Sequence, residues 1–162
     1  MRLKKDSSEQ KLRGAYYTPL QLANAMVNLC ASDNIHTVLE PSCGDGVFLD
    51  SLRQLNLIKK IGTIDAVEIE PDEAEKVQRN YRNYQNVHIL NKDFFEFYSR
   101  MVDAQTQYDF ILGNPPYIRY QYLTETQREL QSNILTSHRM KSNKLINTWV
   151  AFLVACVQLL SE

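Results

Sequence analysis

The chain has 162 residues, 44% of them hydrophobic and 23% charged, which is ordinary globular usage and enough to bury a sizeable core in a single domain. Its formal net charge of −1 gives no overall basic character, and its three cysteines, Cys30, Cys43 and Cys156, lie far apart without the spacing of a metal site or a redox pair. They read as reduced thiols of a cytoplasmic protein, which also argues against a metal site, and the start Met1 to Asp6 lacks the apolar core of a signal peptide. In chain order, the first element is a helix from Thr18 as cap and Pro19 through Cys30. A short β-branched run then ends at Glu40, the tight turn Pro41-Ser42-Cys43-Gly44-Asp45-Gly46 follows, and apolar periodicity from Val47 to Leu55 predicts a helix. Ile64 to Ile69 reads as a second strand, followed by a helix opening at Pro71 with Asp72 and Glu73 in its first turn. Val87 to Leu90 reads as a third strand leading into Asp93-Phe94, and Tyr108 to Leu112 as a fourth. A last helix spans Leu145 to Leu160; within it, Trp149 to Val157 is too short an apolar run to cross a bilayer and is expected to be buried in the core. Strands alternating with helices predict a parallel sheet with helices on both faces, and the first and fourth strands flank the topological switch point where ligands bind.

The first strand, its glycine loop and its helix have the form of a nucleotide-binding unit. The loop is Gly-x-Gly only, because Leu49 stands where a dinucleotide fingerprint has its third glycine. Glu40 and Asp45 flank that loop and would repel a pyrophosphate. They suit a cationic ligand instead, and S-adenosylmethionine, with an ammonium, a sulfonium and no phosphate, meets that requirement. Glu68 stands about 20 residues past the loop, where an acid accepts ribose hydroxyls. Asp93 is placed to accept from an adenine amino group, with Phe94 against the ring. Taken singly, each of these acids is more often a helix cap or a solvated loop residue than a ligand group.

Asn114-Pro115-Pro116-Tyr117, directly after the fourth strand, carries the most chemistry. The lone pair of an exocyclic adenine nitrogen is delocalised into the ring, so a site that makes it react must accept hydrogen bonds from both its N–H groups as the nitrogen becomes tetrahedral. The Asn114 side-chain oxygen is one such acceptor, and the Pro115 carbonyl, held by a two-proline backbone, is the second. Tyr117 offers a flat face to an extruded base. The plainer explanation is a strand followed by a proline turn.

Charge is unevenly placed along the chain. Residues 1–13 carry a net +3 and residues 119–144 another +3, leaving an acidic remainder. In the second segment Arg119, Tyr120 and Tyr122 follow the Asn-Pro-Pro-Tyr motif directly, and cations interleaved with aromatics suit phosphates and unstacked bases. Both segments are also consistent with solvated surface. Thr136 to Asn143 is polar and expected to be mobile.

Gly14 to Pro19, Glu40 to Gly46, Val67 to Pro71, Asp93-Phe94 and Asn114 to Tyr117, in that order, resemble the gamma class of N6-adenine DNA methyltransferases of restriction-modification systems. The resemblance covers about Gly14 to Leu160 and implies a Rossmann-like class I S-adenosylmethionine-dependent methyltransferase fold. It implies a cofactor-binding set of Tyr17, Thr18, Glu40, Pro41, Cys43, Gly44, Gly46, Glu68, Ile69, Asp93, Phe94 and Asn114. Asn114, Pro115, Pro116 and Tyr117 take the catalytic role and Arg119 and Tyr120 contact DNA. The implied partners are double-stranded DNA with a flipped adenine and a restriction endonuclease. Family members have a seven-stranded sheet ordered 3-2-1-4-5-7-6 and a target-recognition domain, of which only the first four strands are found here. Residues 1–162 are therefore expected to be a partial catalytic domain, with the apolar edge of the fourth strand unpaired unless a missing half or partner chain covers it. Methylation of guanine amines in ribosomal RNA or of glutamine amides in protein stays open, as does a cofactor- or DNA-binding module without catalysis.

Overall fold

The computed structural model describes residues 17–30, 34–142 and 147–161. The basic segment 1–13, Gly14 to Tyr16, Asn143 and the expected helix start at Leu145 lie outside the described residues. In chain order the elements are α1 (Leu20–Cys30), β1 (Thr37–Glu40), α2 (Val47–Gln54), β2 (Thr63–Glu68), α3 (Pro71–Tyr81), β3 (Val87–Asn91), α4 (Phe94–Asp103), β4 (Phe110–Ile111), a 3-10 turn (Tyr120–Tyr122), α5 (Glu125–Ser137) and α6 (Thr148–Leu159). The described strands form one parallel sheet in the order β3-β2-β1-β4, as expected for the first four strands of this fold.

β1 and most of β2 are buried on both faces, whereas the edge strand β3 is only partly buried and exposes His88 and Asn91. Side chains alternate across the pleat. Val38, Ile64 and Ala66 therefore pack with Ala23, Leu49, Leu52 and Val77 of α1, α2 and α3. Leu39 and Val67 point the other way, to Phe94, Ile134, Phe152 and Ala155 of α4, α5 and α6. Among the described residues no helix is long and apolar enough to cross a membrane.

Three expectations are corrected. The fourth strand is two residues long rather than Tyr108 to Leu112. At its start the Asp109 carboxylate takes the N–H groups of His36 and Thr37, each at 2.8 Å, beside the backbone bonds from Asp109 N–H to the Thr37 carbonyl at 3.1 Å and from Leu112 N–H to the Leu39 carbonyl at 3.0 Å. The edge beside Tyr108 is not bare: Tyr108 N–H donates to the Leu159 carbonyl at 2.7 Å, its carbonyl accepts from Ser161 N–H at 2.9 Å, and Tyr108 and Leu160 form a parallel bridge. The chain thus returns to the sheet beside β4, and the hydrogen-bonding groups at that point are satisfied. Finally, α6 buries one face only. Ala151, Phe152, Ala155 and Leu159 are inside, whereas Trp149, Leu153 and Val157 are 39%, 54% and 64% exposed along the opposite stripe.

The helix from Glu125 to Ser137 occupies a stretch read partly as mobile. Thr124 starts it with a reciprocal capping box: Thr124 Oγ1 accepts from Gln127 N–H at 3.2 Å, and Gln127 Oε1 accepts from Thr124 N–H at 3.1 Å. The tyrosine-rich segment before it is held by Arg128, whose guanidinium donates to the Tyr120 carbonyl at 3.2 Å and lies 5.0 Å from the Tyr120 ring centroid.

Candidate cofactor cavity

The glycine loop is built by backbone geometry. Gly44 and Gly46 have φ of +53° and +84°, in the left-handed region where a Cβ is costly. Gly46 N–H donates to the Cys43 carbonyl at 2.8 Å, and its own carbonyl receives Asp50 N–H at 2.9 Å, so the turn feeds directly into α2. A Cβ on Gly46 would stand 3.2 and 3.3 Å from the two Val77 methyl carbons of α3. Gly46→Ala is expected to cost about 2 to 4 kcal/mol in urea unfolding, from left-handed strain and overpacking together. A cost under about 0.5 kcal/mol would show that the turn tolerates a side chain.

The loop borders a cavity of about 450 Å³, within the roughly 300 to 1,000 Å³ of small-ligand sites. Its wall carries the carboxylates of Glu40, Asp45, Glu68, Glu70, Glu73 and Asp93, with Lys92 as the opposing cation. Glu40 is 1% exposed, and neither of its carboxylate oxygens has a hydrogen-bond partner among the described residues. Burial, reinforced by Asp45, Glu68 and Asp50, holds the Glu40 carboxyl well above the usual carboxylate range. Burial likewise raises Asp45 and Glu68 and pushes up the Cys43 thiol. An unpartnered acid this deep is costly unless a cation or a hydrogen-bond donor arrives to meet it.

Glu68 ends β2 with both oxygens fixed by backbone donors, Oε2 by Gly44 N–H and Oε1 by Glu70 N–H, each at 2.8 Å. Asp93 caps α4 by accepting from Phe95 N–H at 2.8 Å and receives Gln127 Nε2 at 2.9 Å on its other oxygen. Phe94 lines the cavity with its neighbour Phe95, but its ring is stacked at 4.6 Å on Phe152 of α6.

Asn114 and Pro116 line the same cavity as the glycine loop because β1 and β4 are neighbours. Asn114 Nδ2 donates to Thr18 Oγ1 at 3.4 Å, and Ser42 Oγ donates to the Asn114 carbonyl at the same distance. The two loops meet at Gly113, where a Cβ would stand 3.2 Å from Pro41 Cδ.

The cavity therefore assembles Tyr17, Thr18, Glu40, Pro41, Cys43, Gly44, Glu68, Ile69, Asp93, Phe94, Asn114 and Pro116 from the sequence-predicted set. Gly46 is not in its wall; it is turned to Val77. Pro115, Tyr117, Arg119 and Tyr120 also stand outside the wall, with Tyr117 48% exposed and Arg119 exposed beside Asn147 in an antiparallel bridge. The wall further includes Gln127, Gln131, Thr148 and Phe152, which the sequence reading did not single out. The Thr124-x-x-Gln127 capping signature was the local sign of the helix that supplies the two glutamines.

Fold and cavity together define a class I S-adenosylmethionine-dependent methyltransferase architecture. It is shared with a Listeria monocytogenes protein described as such a methyltransferase, at TM-score 0.65 and 14% identity over 91% of this chain and 44% of that one. A type I restriction-modification methyltransferase subunit from Streptococcus thermophilus superposes at TM-score 0.64 and 18% identity, over 90% of this chain and 32% of that one. Residues 23–162 match the Eco57I restriction-modification methylase family, and the chain belongs to it. It is 31% identical over 153 residues to the type II methyltransferase M.HincII of Haemophilus influenzae, covering 94% of this chain. It is also 31% identical over 104 residues to M.CvrRI of Paramecium bursaria Chlorella virus XZ-6E, covering 64% of this chain. The chain spans 26% of the length of M.HincII and 24% of M.CvrRI.

Proposed function

We propose that this chain is the cofactor-binding and amine-binding part of a DNA methyltransferase that transfers a methyl group from S-adenosylmethionine to N6 of adenine, within a restriction-modification system. Residues 1–162 are then one portion of a catalytic domain. The observation that carries the proposal is the shared cavity, in which a buried acid without partners and Asn114 face one space across adjacent strands. The family membership and the type II relatives support DNA as the substrate.

The wall fits the cofactor. In this reading Glu40 meets a methionine ammonium, Tyr17 and Thr18 are assigned to the same end, Glu68 takes the ribose hydroxyls with its remaining lone pairs, and Asp93 accepts from the adenine amine. When bound, S-adenosylmethionine supplies a methyl already activated on sulfonium, so the site needs alignment and charge stabilisation rather than a nucleophile. With Nδ2 turned to Thr18, the acceptor end of Asn114 is its Oδ1. That oxygen and the Pro115 carbonyl accept the two N–H groups of the target amine, and Tyr117 stacks on the extruded base. Arg119 is left to meet the phosphate backbone, while Tyr120 has one ring face already occupied by Arg128.

Titration calorimetry should show binding of S-adenosylhomocysteine and no comparable binding of NAD. Glu68→Ala should weaken it by roughly 1 to 3 kcal/mol, the cost of leaving buried hydroxyls without their acceptor. The reaction is tested by tritiated methyl transfer: label should appear in duplex DNA as N6-methyladenine. Label in RNA or on a glutamine side chain would move the assignment to those substrates, and cofactor binding without transfer to any acceptor would mark a binding module.

A further inference from the structure

Gln127 has no part in the mechanism above, yet its side chain is fixed at both ends. It is the third residue of α5, and its Oε1 accepts from Thr124 N–H at 3.1 Å. A backbone N–H must face an oxygen, so this bond settles which end of the amide is which. Nε2 is left on the other side, where it donates to Asp93 Oδ2 at 2.9 Å. Asp93 Oδ1 meanwhile accepts from Phe95 N–H at 2.8 Å. The carboxylate is thus held in one plane by two donors from different helices, one inherited from α4 and one delivered by α5. Two donors on its oxygens leave it only acceptor lone pairs to show the cavity that it and Gln127 both line.

We infer that Gln127 is a positioning residue that sets the base selectivity of the cofactor cavity: by fixing Asp93 as an oriented acceptor, it favours a purine with a 6-amino group over one with a 6-oxo group. This rests on the proposed S-adenosylmethionine site. A 6-amino group gives the carboxylate a donor. A 6-oxo group sets oxygen against oxygen and finds no donor at Asp93, the arrangement by which polar sites reject a ligand lacking the matching hydrogen.

The test is Q127E. Glutamate also completes a capping box, so its carboxylate still accepts from Thr124 N–H and the start of α5 is kept. What changes is the far side, where a donor to Asp93 becomes a second carboxylate that turns it away. Q127M, which removes both bonds, is the companion should Q127E fold poorly. Purified protein is titrated with S-adenosylhomocysteine and with S-inosylhomocysteine, and thermal melts are recorded beside the titrations. Wild type should prefer the adenosyl ligand at least tenfold. Both variants should reduce that preference to under threefold, chiefly by losing adenosyl affinity, and Q127E should melt within a few degrees of wild type. Variants that weaken both ligands in proportion and keep the ratio would make Gln127 merely structural and overturn the inference. Wild type binding both ligands equally would also overturn it while leaving the cofactor site standing. Wild type binding neither would remove the cofactor site itself.

Discussion

Asn114→Ala should reduce methyl transfer to DNA by about 10²- to 10³-fold or more, while S-adenosylhomocysteine binds within about threefold of wild type. The magnitude follows from removing one preorganised hydrogen-bond partner of a reacting group. The split follows from where that partner acts. On the proposed chemistry its bond to the target amine strengthens as the nitrogen becomes tetrahedral, so its loss falls on turnover and not on the ground state. The bond from Asn114 Nδ2 to Thr18 Oγ1 is long at 3.4 Å, so its loss is expected to disturb the cofactor end of the cavity little. Single-turnover rates beside equilibrium titration provide the measurement. Equal losses in both would show that Asn114 chiefly shapes the cofactor end of the cavity, and full activity would dismiss the amine-binding role. Tyr117→Ala should cost about 1 to 3 kcal/mol in capture of the extruded base, with Tyr117→Phe mild, since stacking needs the ring rather than the hydroxyl.

Glu40→Gln should move folding and binding in opposite directions. Burial and the neighbouring acids raise the Glu40 carboxyl above its ordinary 4.5 in the folded chain, so the fold holds that proton more tightly than the unfolded chain does. The sign follows from linkage: the contribution of Glu40 to stability is complete below about 4.5 and is lost as pH rises through the higher folded value. Glutamine keeps the shape without the charge. The variant should therefore melt above wild type near pH 8, with the gap closing as pH falls toward 4.5. A cationic amine needs the charged form, so binding of S-adenosylhomocysteine should weaken by about 2 to 5 kcal/mol, the range for truncating one partner of a buried charge pair. Wild-type binding should release protons above pH 4.5, seen as a dependence of the binding enthalpy on the buffer's ionisation enthalpy. Tighter binding by Glu40→Gln would exclude an ammonium at this carboxylate.

The parts of the fold that were legible in the sequence are those where local chemistry and tertiary role coincide. Val38 to Glu40, Ile64 to Ile69 and Val87 to Leu90 read as strands because each is a short run dominated by β-branched and aliphatic residues, and the structure has β1, β2 and β3 at those places. Their order, β3-β2-β1-β4, is the one implied by the family resemblance rather than by the strands themselves. The acids at their carboxyl ends were visible because burying a carboxylate there is costly without a ligand or a backbone donor.

What stayed hidden was either nonlocal or lacked a period. The pairing of Tyr108 with Leu160 joins residues far apart in the chain, and nothing near either one announces it. Helix α6 is apolar on all sides, so its sequence does not say that Phe152 is inside and Leu153 outside. Helix α5 buries Gln131 beside Ile134 and Leu135, and glutamines facing a cavity blur the apolar stripe that periodicity looks for. Gly46 shows a different ambiguity: a glycine required by its φ and by the approach of Val77 has the same letter as one required by a ligand.

The contact between Gly113 and Pro41 has a consequence in the entropy of the reaction. The Asn114 loop and the glycine loop approach each other there through main chain and a proline ring, so closely that a Cβ on Gly113 would stand 3.2 Å from Pro41 Cδ. Neither partner has a rotamer to search, so the spacing of the two half-sites is settled when the chain folds and does not have to be found again at each encounter with substrate. On the proposed chemistry, much of the ordering that brings methyl donor and amine into line has already been met by folding, and the activation entropy of transfer should be correspondingly small.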